Sequence, residues 1–233
     1  MTLTGTTIDI RSRRIAATAA VGYVVLFLLS QTLPSALGQN KNTHIITPYS
    51  SDADVTRYLS AVNHHLLPIG AFCQALSALA LLAFAPYAAD YIRRCVPGTA
   101  LAGLARASGT TAAALLLISA SAQWVLLRPS TLTDLRVYRA ISDLVFVTGA
   151  GPQVATTGLL VGAVAAAGLR ARSLPKWLNW FGLAIAAVSL ASMLSLLSEP
   201  ATYCIPLGRY MGFAWFAGTA AALLRHRRLS SQQ

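Results

Sequence analysis

The sequence predicts an all-α fold: a polytopic transmembrane helix bundle with six spanning helices and both termini cytoplasmic. Three observations carry this expectation. Apolar stretches of about twenty residues recur six times, and that is the length a helix needs to cross a hydrocarbon layer of about 30 Å. Of the 233 residues, 55% are hydrophobic and only 11% are charged, whereas roughly a quarter are charged in a soluble domain. Finally, Lys and Arg collect in alternate loops. The six segments use nearly the whole chain, which therefore reads as one integral membrane domain over residues 1–233 with no room for a soluble one.

The first apolar stretch covers residues 15–33 and follows Arg11, Arg13 and Arg14. The second, 61–91, ends at Arg93 and Arg94. The third, 103–127, stops before Arg128 and Pro129. The fourth, 136–169, is longer than a bilayer requires, so its first two turns are expected to project into water. The fifth, 177–197, follows Ser-Leu-Pro-Lys, and the sixth, 205–224, closes against Arg225, His226, Arg227 and Arg228. Charges and prolines bound each of these helices. The outward loop 34–60 contains Ser51 and Asp54 in the Ser-x-x-Asp pattern, where a hydroxyl and a carboxylate reciprocally satisfy the start of a helix. A helix is thus expected to begin outside the membrane.

Orientation follows from basic residues near the span ends, which resist translocation. One side collects Arg11, Arg13, Arg14, Arg93, Arg94, Arg106, Arg170, Arg172, Lys176, Arg225, Arg227 and Arg228. The other side holds Lys41, Arg57, Arg128, Arg136, Arg139 and Arg209. The first set is expected to face the cytoplasm from a bacterial plasma membrane. The net charge of +11 then reflects anchoring to anionic headgroups rather than nucleic-acid binding. Residues 11–39 also resemble a secretory signal, with a basic run, an apolar run and Ser-Ala-Leu-Gly-Gln. The apolar run approaches full spanning length, so the first helix is expected to be retained.

Candidate functional residues lie near the outward helix ends. The second span brings Asn63, His64 and His65, and the third brings Gln123 and Trp124. The fourth brings Arg136, Arg139, Asp143 and, deeper, Gln153; the sixth brings Arg209 and Tyr210. Ionisable groups in a membrane are costly and usually face a bundle interior or a wet cavity, so these residues suggest an outward polar vestibule. Asp143 is the only carboxylate in a long apolar-flanked helix, and Arg139 lies one turn before it at ion-pair spacing. Asp143 is the candidate general acid or base, with His64 as proton shuttle or ligand donor. Arg139, Gln123, Arg209, Tyr210 and Gln153 are candidate substrate-binding residues.

His64 and His65 point about 100 degrees apart on a helix and lack further ligands, so no metal and no other cofactor is expected. Cys73, Cys95 and Cys204 lie at different depths, and no intrachain disulfide is expected. Gly158 and Gly162 form a GxxxG pair that suits close internal helix packing, and Gly149, Gly151 and Pro152 suggest a bend. Trp177 and Trp180 beside Lys176 are expected to anchor the chain at the headgroup level.

The segment SLPKWLNWFGLAIAAVSLASML followed by GRYMGFAWFAGTAAALLRHRR resembles, in pattern, the small six-span membrane proteins of actinobacteria catalogued as a domain of unknown function. The long first outer loop and the His64, His65 pair depart from that pattern. The resemblance implies a membrane bundle and carries no catalytic residues. In size and span number the chain is also similar to intramembrane terpene cyclases, an analogy of fold alone. The leading functional expectation is an embedded biosynthetic enzyme acting on a lipophilic or isoprenoid-like small molecule by acid/base chemistry. The alternatives are a small exporter or immunity protein and a non-catalytic partner subunit. The bilayer is an expected partner, a lipophilic small molecule is the candidate substrate, and no nucleic acid is expected.

Overall fold

The computed structural model describes residues 10–36, 46–61 and 67–230. Among the described residues there is no strand. The helices are α1 (Ile10–Ala36), α2 (Asp52–Ala61), α3 (Leu67–Cys95), α4 (Leu101–Leu126), α5 (Pro129–Leu132), α6 (Leu135–Gly149), α7 (Gly151–Ala171), α8 (Lys176–Ala191) and α9 (Cys204–Ser230). Two short 3-10 segments, Ser192–Leu196 and Glu199–Tyr203, join α8 to α9. Among the described residues, five segments are long and apolar enough to cross a membrane: Ser12–Leu33, Leu67–Cys95, Leu101–Leu126, Leu135–Ala171 and Lys176–Leu196. The sixth expected span corresponds to α9, which is 27 residues long but carries Arg209 and Tyr210 early and Arg225, Arg227 and Arg228 late, and is not one of those five.

Small residues set the spacing of the bundle. Ala20, Ala78, Ala85, Ala112, Ala113 and Ala165 are completely buried, and such side chains let helix backbones approach closely. A Cβ on Gly109 of α4 would lie 2.7 Å from the Cβ of Ala85 on α3. The Gly158 and Gly162 pair serves the α7–α8 seam: a Cβ on Gly162 would come within 2.9 Å of Ala186 Cβ, and one on Gly158 within 3.0 Å of Ser189 Oγ. Aromatic rings fill the centre, where Tyr23 meets Phe213 and Phe216 edge-on, with centroids 5.5 and 5.1 Å apart. Trp215 is fully buried and its indole donates to the Leu178 carbonyl at 3.1 Å, as a buried indole N–H requires.

The expected fourth helix is two helices. Ala150 takes φ −112° and ψ −109°, outside the helical region, and separates α6 from α7. Pro152 has no N–H to donate back, and Gly151 lets the backbone close on the Ser192–Leu196 segment, where a Cβ would lie 2.7 Å from Ser195 Oγ and 2.8 Å from Ser192 O. Ser192 ties the break to the end of α8, donating to Gly151 O at 3.1 Å and to Ser189 O at 2.6 Å. The described part of the second span runs from Leu67, and α2 is described before it over Asp52–Ala61. The predicted cap is formed there: Ser51 Oγ donates to Asp54 Oδ2 at 2.6 Å and accepts from Asp54 N at 3.2 Å.

Candidate functional site

Polar side chains gather at four levels, and at mid-depth the break between α6 and α7 places Gln153 beside α1 and α9. Tyr23 lies eleven residues beyond Ser12, where the first span starts, or roughly 16 Å along the helix. Gln153, 1% exposed, donates through Nε2 to Thr157 Oγ1 at 3.1 Å and to the Tyr23 hydroxyl at 3.4 Å. Arg209 Nη2 donates to the Gly149 carbonyl and to Gln153 Oε1, the latter at 3.4 Å. Its guanidinium also lies 4.9 Å from the Phe27 ring centroid. Arg209 makes no ion pair among the described residues. Its partner is the negative end of the α6 dipole, where a cation hydrogen-bonds carbonyls that the helix leaves open. The structure thus joins two predicted residues, Arg209 and Gln153, around a space of only about 10 Å³. A site of that size holds at most about one water. Tyr210 does not join them; it is 49% exposed and meets Phe213 edge-on.

Gln123 belongs to a second network. Its Nε2 donates to Gln74 Oε1 at 2.8 Å, Gln74 Nε2 donates to Ser119 Oγ at 3.2 Å, and Ser119 donates to the Val145 carbonyl at 3.1 Å. These bonds link α3, α4 and α6, and satisfying the buried Gln74 amide at both its oxygen and its nitrogen holds three helices in register.

At the level of α2, Arg139 does not pair with Asp143. Its Nε lies 2.6 Å from Asp52 Oδ1, and its Nη2 donates to the Ser50 carbonyl. The start of α2 and the turn before it capture this arginine, since the Asp52 carboxylate and the Ser50 carbonyl converge on it. Tyr49 secures the same segment by donating to Ser195 O at 2.8 Å. Asp143 is half-buried and makes no hydrogen bond or ion pair among the described residues. Asn63, His64 and His65 lie outside those residues.

The fourth level is at the opposite end, where the structure holds a cavity of about 350 Å³. It runs along α3 from Phe84 to Cys95, roughly 16 Å at 1.5 Å per residue. Ala16 of α1, Phe84 and Ala88 of α3, Val164 of α7, Leu174 between α7 and α8, and Ala222 of α9 supply its apolar wall. Arg13, Arg94 and Arg172 line it at the helix ends. Between rim and wall, the Tyr91 hydroxyl and Ser173 Oγ are 2.5 Å apart, and the Cys95 thiol donates to Ser173 Oγ at 3.6 Å. Asp90, also lining the cavity, is held by Arg93 at 2.7 Å. Arg172 is the α7 C-cap with φ 52°, the left-handed region that costs a side-chain-bearing residue roughly 1–2 kcal/mol.

None of these cavity residues stands among the site residues expected from sequence. One signal was present: Tyr87, Tyr91 and Arg94 recur at i, i+4 and i+7, a polar stripe on one helix face. Arg13, Arg94 and Arg172 come together from α1, α3 and the end of α7 along this one cavity. Fold and site together define an all-α bundle whose five long apolar helices are compatible with a multi-pass membrane protein, with a cavity at its basic end. No family model, curated protein or solved structure matches the chain.

Proposed function

We propose that the chain crosses the plasma membrane of its cell six times, with α9 as the sixth span and the basic end and both termini in the cytoplasm, and that it binds a lipophilic small molecule. The observation that carries this is the 350 Å³ cavity with apolar walls, a volume within the range of small-molecule sites, about 300–1,000 Å³. Its depth of half a bilayer suits a single chain or fused-ring skeleton entering from the basic end. The test is binding of tritiated farnesol, an uncharged isoprenoid alcohol, to the purified full chain in phosphatidylcholine nanodiscs. Ala222→Phe puts a ring into the wall and is expected to abolish saturable binding while the protein remains in the membrane. Saturable binding that Ala222→Phe leaves intact would place the ligand elsewhere.

A second reading, acid/base catalysis on an isoprenoid-like substrate, is favoured by Asp143, a half-buried carboxylate without a partner among the described residues. Asp143 would give or take the proton and His64 would relay it. Untargeted lipid and metabolite profiles of cells with the intact protein, with Asp143→Asn and without the gene test this reading. It expects a product that disappears in the last two; identical profiles in all three would remove it.

A further inference from the structure

We infer that the arginine rim of the basic-end cavity selects an anionic amphiphile, with a phosphate-type head on Arg13, Arg94 and Arg172 and a lipophilic chain in the apolar interior. The inference rests on the cavity binding proposed above and adds the head group. Apolar walls alone give a membrane protein little selectivity, because lipid tails are as apolar as the side chains that line the cavity. Whatever distinguishes a ligand from bulk lipid must therefore act at the polar rim.

The rim is cationic and available. Among the described residues, Arg13, Arg94 and Arg172 form no ion pair, while the one carboxylate lining the cavity, Asp90, is already held by Arg93. Guanidinium groups present planar forks that match phosphate oxygens two at a time. Three of them, contributed by three separate elements, line one cavity, which an ordinary row of interfacial arginines on one helix does not do. Arg14, Arg93, Arg106 and Arg170 show the contrast: they occupy the same end of the bundle but do not line the cavity. Of the paired Tyr91 and Ser173 hydroxyls, the one that accepts from the other keeps its own proton to donate to an oxygen that reaches past the arginines.

Arg172 gives the inference a variant that does not threaten folding. Glycine adopts the left-handed conformation of this position without a steric penalty, so Arg172→Gly removes a rim charge from a backbone site that prefers glycine.

The experiment compares dodecyl phosphate, dodecanol and inorganic phosphate as competitors of tritiated farnesol, using the full chain in phosphatidylcholine nanodiscs. Dodecyl phosphate is expected to compete at least about tenfold more strongly than dodecanol, and inorganic phosphate alone only weakly. Arg172→Gly and Arg94→Gln should each erase most of that preference without weakening dodecanol, and Arg172→Gly should not lower the melting temperature. Equal competition by the two dodecyl compounds would overturn the inference and leave the apolar cavity standing. Failure of any compound to bind would overturn both. Nanodiscs containing phosphatidylglycerol separate the sources of the anion. If this lipid removes the dodecyl phosphate preference, the resident ligand is a membrane lipid headgroup; if the preference persists, it is a single-chain phosphate ester.

Discussion

Replacing Gly109 by alanine tests the close helix contact on which the bundle depends. The new Cβ would sit 2.7 Å from Ala85 Cβ and 3.3 Å from Leu160 Cδ2, where ordinary contact begins near 3.4 Å. Leu160 can rotate away. Ala85 has no rotamer to change, so α3 and α4 must separate by at least 0.7 Å, the difference between 3.4 and 2.7 Å. Overpacking of this kind costs about 1–3 kcal/mol, and the better helix propensity of alanine returns about 1 kcal/mol. The expected net loss is about 1 kcal/mol. Gly103, earlier on the same helix, is the control: it is exposed and a Cβ there meets nothing within 4 Å, so Gly103→Ala should gain up to about 1 kcal/mol. Unfolding of the purified protein by sodium dodecyl sulfate, followed through helix content, should place the two variants on opposite sides of wild type. Equal stability of both would refute the α3–α4 packing.

Three further outcomes follow from named contacts. Arg172→Gly should raise stability by about 1 kcal/mol by relieving the left-handed arginine, measured by the same titration. Gln123→Leu leaves Gln74 Oε1 without its donor and should cost about 1–3 kcal/mol. The double variant Gln74→Leu with Gln123→Leu should cost less than the sum of the singles, and strict additivity would contradict the network. Ser51→Ala removes the α2 cap and should cost about 0.5–2 kcal/mol locally, seen as faster amide exchange over residues 52–61 with the spans unaffected.

How much was legible differs between scaffold and site for physical reasons. Apolar runs of spanning length report directly on helices, so Leu101–Leu126 falls within two residues of the expected 103–127. The break at Ala150 was only half visible: Gly149, Gly151 and Pro152 announce a bend, but the split also depends on Ser192, forty-one residues from Gly151. The same break explains Arg209, whose partner is the Gly149 carbonyl, an acceptor that no side-chain motif reveals. Arg139 and Asp143 stand at ion-pair spacing, yet two acceptors near the start of α2 take the arginine instead, and spacing within one helix carries no information about that competition. The basic-end cavity was least legible. Arg13, Arg94 and Arg172 read as ordinary inward-facing charges, and only the tertiary path of three chain segments brings them together.

The central claim, that a lipophilic molecule enters the basic-end cavity, is most directly tested at Cys95, a half-buried thiol in its wall. With Cys73 and Cys204 changed to serine, maleimide labelling of Cys95 in nanodiscs would be timed with and without saturating farnesol. The account predicts that farnesol slows labelling several-fold and that Ala222→Phe abolishes the protection. Unchanged labelling of Cys95 while farnesol is demonstrably bound would contradict it.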